Sequence, residues 1–194
     1  MKTIIKVLFF CLPALLLVSS CEKEDNSPDK LIVTMGAQAN TTIGAFYSIG
    51  QNKVFTQDLA AANQDTINLL CFYEHDTVNN YINDICLASP GSGIRGVFTG
   101  ETSTENWAVK QLTTFTAPAT EITVAQFDAL EQNDAVIPSY YNSTQTSGIK
   151  KAKLLKAGDI YAIKTHDNIY GLFKVITVVE GADGYVEFEL KLKK

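Results

Sequence analysis

Histidine occurs twice and cysteine four times in 194 residues, and no Cys-x-x-Cys pair is present. The ligand spacing of a structural zinc site is therefore missing, and no metal is expected. No Gly-x-Gly-x-x-Gly opens a helix. Gly91-Ser92-Gly93 lacks the lysine and helix start of a phosphate-binding loop, so it reads as turn chemistry and no cofactor is expected. A Gly-x-Ser-x-Gly nucleophile motif is absent too, as is any internal repeat at roughly 20–50 residues. Basic side chains are the minority, 16 Lys+Arg against 21 Asp+Glu. That balance argues against a nucleic-acid partner.

An apolar run of membrane-spanning length is also lacking. The longest, Val7 to Val18, follows Lys2 and Lys6 and is interrupted by Pro13; a spanning helix needs about 20 apolar residues. A positive start, a short apolar core and small residues at a boundary describe a cleaved export leader, expected here over residues 1–20. Val18 and Ser20 would also suit an ordinary signal peptidase, leaving a soluble secreted product as the alternative. The boundary Val18-Ser19-Ser20-Cys21 resembles the lipobox of bacterial lipoproteins. That resemblance implies lipidation of Cys21 and a membrane partner held through the lipid, since two or more acyl chains give stable attachment.

Residues 21–30 then form the lipidated cysteine and a tether. Glu22 to Lys30 carries four acids and a proline and no residue able to enter a core, and when extended it reaches about 30 Å. Its acidic start, Cys21 to Asp25, resembles the tag that sends lipoproteins of Bacteroidetes to the outer face of the outer membrane. The expected location is thus the outer membrane, at the cell surface or otherwise on its periplasmic side. Loss of Lys2 and Lys6 with the leader leaves 14 basic against 21 acidic side chains, a net charge of −7.

The remainder, 31–194, is long enough for one domain. Its fold class is expected to be α+β, mainly antiparallel β, with short helical insertions and a C-terminal three-stranded meander. Strands are expected at 31–35, 45–49, 53–55, 67–74 and 81–88, with a helix around 58–62. Leu69 to Tyr73 is continuously apolar and suits a central strand buried on both faces. Thr102 with Glu105 and Thr123 with Gln126 match the capping box, the second beginning a helix near 124–132. The meander is expected at 160–165, 169–179 and 185–193. In its last strand Val186, Phe188, Leu190 and Leu192 alternate with Glu187, Glu189, Lys191 and Lys193, the pattern of a half-buried edge strand.

Cys11 leaves with the leader, so Cys71 and Cys86 are the two remaining thiols. They lie equidistant from the middle of a polar loop between two strands and could face each other. A disulfide and a pair of buried free thiols both stay open. His75, between Glu74 and Asp76 at a strand end, is in a position where catalytic groups occur. Adjacent strand residues point to opposite faces, however, so neither acid is set to orient it, and His166 reads as a turn residue. Trp107, Tyr140 and Tyr141 flank polar stretches and are the candidate ligand contacts, for a glycan or a protein partner. Asp65-Thr66-Ile67 and Asp76-Thr77-Val78 resemble the O-glycosylation tripeptide of exported Bacteroidetes proteins, which would mark Thr66 and Thr77. The whole chain resembles the small uncharacterised lipoproteins of that phylum, a likeness that implies no activity. The expected function is a non-enzymatic binding module; the alternative is a hydrolase whose site the sequence does not display.

Overall fold

A computed structural model describes residues 30–116, 122–141 and 149–194. The leader, Cys21, the acidic tag and the polar run Asn142 to Ser147 lie outside the described residues. The strands are β1 (Ile32–Gly36), β2 (Phe46–Ser48), β3 (Lys53–Phe55), β4 (Leu69–Asp76), β5 (Tyr81–Ala88), β6 (Thr114–Phe115), β7 (Lys151–Ala152), β8 (Ile160–Lys164), β9 (Tyr170–Val179) and β10 (Tyr185–Lys193). Two short helices join them, α1 (Gln57–Ala61) and α2 (Val124–Ala129). The fold is mainly antiparallel β, in two five-stranded sheets ordered β1-β10-β9-β8-β6 and β3-β2-β4-β5-β7.

Turn chemistry explains several connections. Asn52, Asn80 and Asn168 take positive φ of 47, 59 and 64°, the left-handed conformation that asparagine tolerates and tight turns need. The Thr123–Gln126 capping box forms: Thr123 Oγ1 accepts the Gln126 amide at 3.2 Å, and Gln126 Oε1 accepts the Thr123 amide at 2.8 Å. The Thr102–Glu105 box does not. Ser103 accepts the Glu105 amide instead, and the Thr102 hydroxyl donates to Asp58.

The two sheets meet through Val33, Met35, Phe173, Phe188 and Leu190 on one side and Tyr47, Leu69, Cys71, Ile85 and Leu87 on the other. Their outer faces are also covered. Ile94, Phe98 and Trp107 close over Phe46, Leu70, Phe72 and Cys86 of the β4–β5 sheet. Ile122, Phe127 and Ile137 close over Ile160, Ala162 and Leu172 of the β8–β9 sheet. Burial on both faces is why Leu69 to Phe72 contains no polar alternation.

This covering corrects the reading of β10. It lies between β1 and β9, and Glu189 and Lys191 on its outer side are only 3% and 6% exposed. Alternating charges did not mark solvent here, because residues 122–141 fold back over them.

The Cys71–Cys86 disulfide does not form. Asp76 opposite Tyr81 begins a register that, continued, would set Cys71 opposite Cys86. Between Glu74 and Asp76, however, β5 supplies one more residue than β4. Beyond this bulge every pair slides by one, so Cys71 faces Leu87 and Phe72 faces Cys86. One cysteine enters the inter-sheet core and the other the outer cluster, and both are free. Intact mass should therefore be the same before and after reduction, with two thiols alkylated once the protein is denatured. A two-dalton increase on reduction would contradict the bulged register.

Candidate functional site

Trp107 is a core residue and not a ligand contact. It is 4% exposed, its ring lies 5.3 Å from that of Phe46, and its indole N–H donates to the Thr102 carbonyl at 2.9 Å. The buried indole thus satisfies its polar group within the fold.

Tyr140 and Tyr141 sit differently. A short turn at Ile137–Tyr140 lays both, half-buried, against the outer side of the β8–β9 sheet. Tyr141 meets Tyr170 edge-on at 5.6 Å, its hydroxyl pairs with Thr114 Oγ1, and Lys164 Nζ stands 5.2 Å from the Tyr170 ring. Tyr170 and Lys164 belong to the same hairpin, β8–β9. Their approach to Tyr141 depends on the fold-back of 122–141, whose capping box starts α2 but does not say which sheet the segment covers. The result is a set of aromatic edges and one cation, fixed by strands, with part of each ring in solvent.

A second convergence involves titratable groups. The register sets Glu74 opposite Asp84, and Cys86 follows two residues later on the same face of β5. Donor atoms of the three lie within 4.8 Å of one another. Each is already engaged. Lys153 pairs with Glu74 and stands 3.7 Å from the Tyr81 ring. The Asp84 carboxylate accepts the Leu154 amide at 3.0 and 3.1 Å, while the Cys86 thiol donates to Asp84 at 3.1 Å. Leu154 reaches this position at φ 53°, a costly conformation for leucine. Burial pushes the Cys86 thiol far up, aided by Asp84 and Glu74 and opposed by Lys153. This shift disfavours the thiolate, the form in which a cysteine acts as a nucleophile. Sequence inspection missed this group because the bulge decides which residues face one another.

Burial also raises the Asp84 carboxyl, against the lowering effects of the Leu154 amide, Cys86 and Lys153, with Glu74 adding to the rise. The native state therefore holds this proton more readily than the unfolded chain does. Ionised Asp84 opposes folding above its raised pKa, and the opposition fades as pH falls through that value toward the unfolded 3.8. Asp84→Asn retains an acceptor for Leu154. We expect it to unfold at higher denaturant than wild type at neutral pH, with the difference shrinking in acid. A difference that instead grows on acidification would assign the opposite shift to Asp84.

The remaining sequence candidates are scattered. His75 Nδ1 lies 3.1 Å from Asn83 Oδ1 and accepts the Asn83 amide at 3.3 Å, so a bulge residue orients its ring and, among the described residues, no carboxylate does. His166 sits in the β8–β9 turn, 3.8 Å from Asp167. Thr77 is exposed at the β4–β5 hairpin tip, whose backbone Asp76 holds through the Val78 and Asn79 amides. Thr66 is half-buried and donates to the Asn63 carbonyl at 3.0 Å. Hollows are also present among the described residues. One, of about 280 Å³, opens at the end of the inter-sheet core beside Leu31, Ile49 and Leu192. Another, of about 330 Å³, lies in the loops over the β4–β5 sheet beside Ile94, Arg95 and Lys110. No family model, curated protein or solved structure matches the chain.

Proposed function

We propose that this chain is a single folded unit over 31–194, carried on a lipidated Cys21 at the outer membrane and displayed at the surface, where it binds a glycan or protein partner without turning it over. One observation carries the binding part: Tyr140 and Tyr141 present half-exposed rings on a backbone fixed by the β8–β9 sheet. Aromatic rings held in this way supply contact area at little entropic cost. The acidic tether would hold that face clear of the lipid, and Thr77 is the better placed of the two candidate glycosylation sites.

The test has two parts. Cys21→Ser should move the protein from the membrane fraction to the soluble one, or leave an unprocessed precursor; unchanged sedimentation with the outer membrane would remove the anchor. On a glycan array, Tyr140→Ala should weaken the acylated protein's binding several-fold, since an aromatic pair contributes about 0.5–1.5 kcal/mol beyond burial. Binding indifferent to both tyrosines would remove the face.

The alternative, a hydrolase, draws on the facing Glu74 and Asp84, one of them shifted toward its protonated form. It is the weaker reading, because Lys153, Leu154 and Cys86 already occupy both carboxylates. Hydrolysis of a glycoside or ester by wild type, abolished in Glu74→Gln, would reverse that order.

A further inference from the structure

Arg95 is the only arginine in the sequence, and its surroundings set it apart from the lysines paired elsewhere. It is exposed and makes no ion pair among the described residues. Yet its backbone is firmly placed. Ile94 on one side and Phe98 on the other are buried in the outer cluster of the β4–β5 sheet. Gly93 and Gly96 turn the chain at φ 75 and 70°, and the Gly96 amide donates to Glu105 Oε1 at 2.7 Å. The guanidinium is thus presented from a loop anchored at both ends.

Lys110 joins it at the same hollow. Its ammonium donates to the Glu105 carbonyl at 2.8 Å, which uses one of three N–H groups and leaves the others free to face a ligand. Thr104 lines the hollow and is itself buried. Pro90 and Ile94 supply apolar wall.

We propose that this hollow binds an anionic sugar, its carboxylate or sulfate held by Arg95 and Lys110 and a neighbouring hydroxyl held by Glu105. A guanidinium fork matches the planar geometry of such anions. Glu105 would repel a bare anion, and Gly96 occupies one of its oxygens. The other oxygen accepts a hydrogen bond from a ligand that carries hydroxyls beside its charge. The volume, about 330 Å³, is at the lower end for small-molecule sites and suits one ring. The apolar wall of Pro90 and Ile94 faces the C–H side of the ring. This site is additional to the tyrosine face, which lies over the other sheet, so the two can fail separately.

The test is calorimetric titration of the full acylated protein in detergent with a uronate oligosaccharide, a sulfated one, a neutral one of equal length, and inorganic sulfate. We expect at least one acidic oligosaccharide to bind, more weakly as salt rises, and the neutral one not to bind. Arg95→Gln should weaken that binding tenfold or more, the usual consequence of losing a charged hydrogen-bond partner. Its thermal midpoint should not move, because the side chain is exposed. Lys110→Gln should weaken binding in the same direction, and Tyr140→Ala should leave it unchanged. Whichever of uronate and sulfate binds more tightly identifies the anion. Equal affinity for the neutral oligosaccharide, binding of inorganic sulfate alone, no binding at all, or an unaffected Arg95→Gln variant would each overturn the proposal.

Discussion

Trp107→Ala should lose about 3–5 kcal/mol of stability, the usual range for deleting a large buried aromatic side chain. Domains are generally stable by only about 5–15 kcal/mol, so the variant should be largely unfolded well below the wild-type midpoint. The ring packs on Phe46, which also meets Phe98 at 4.7 Å, and together they seal the outer face of the β4–β5 sheet. Removal leaves a void against a strand residue with no exposure. Trp107→Phe should recover much of the loss, lacking mainly the hydrogen bond to Thr102. Urea denaturation followed by circular dichroism would measure both. An alanine variant with an unchanged midpoint would show that the indole is not part of the core.

The second large effect is expected at Glu189. Its carboxylate lies 3.4 Å from Lys174 Nζ, 3.6 Å from Lys191 Nζ and 3.9 Å from Lys30 Nζ. Lys174 also pairs with Asp128, Lys191 donates to the Leu130 carbonyl, and both ammonium groups stand about 5 Å from the Phe127 ring. Glu189→Ala would leave two largely buried cations short of their shared counter-ion, at a cost of about 3–5 kcal/mol. Replacing Glu189 and Lys191 together by methionine should cost much less, since the desolvation of both charges disappears with them. The pH dependence follows from Lys174. Burial lowers its pKa, but the hydrogen bond to Asp128 and the charges of Glu189 and Asp128 outweigh burial and raise it. A lysine raised above its unfolded value near 10.5 contributes stability that is complete below that value and lost as pH climbs through the folded one. Wild type should therefore lose stability above about pH 10.5 more steeply than Glu189→Ala does. Parallel curves would mean that Glu189 does not hold Lys174 charged.

Local signals identified much of this architecture. The three C-terminal strands are legible because each is a run rich in apolar and β-branched residues, alternating with charges in the last, and Asp167-Asn168 and Gly181 to Gly184 punctuate them. The capping box gave α2 its first residue. What could not be read locally was which strands became neighbours. β10 reads as an edge when its charges are taken alone, and only the fold-back of 122–141 converts Glu189 and Lys191 into a buried network. The cysteine pairing turned on a single inserted residue in β5, which periodicity cannot distinguish from an ordinary loop position. The site was legible to the same extent: Tyr140 and Tyr141 stood out as neighbours in sequence. Their contacts with Thr114 and Tyr170, and the hollow around Arg95, arise from loops that carry no periodic pattern.

The place of β10 bears on when this protein can fold. The strand reaching Lys193 lies inside its sheet and separates β1 from β9, and the Thr34 hydroxyl donates to Glu187 across 153 residues of chain. At synthesis rates of about 5–20 residues per second, β1 waits on the order of ten seconds for its sheet partner β10. Contacts so distant in sequence also slow the folding step itself. A ribosome-bound chain is accordingly kept from completing the β1-β10-β9 sheet until β10, some 150 residues after β1, has emerged.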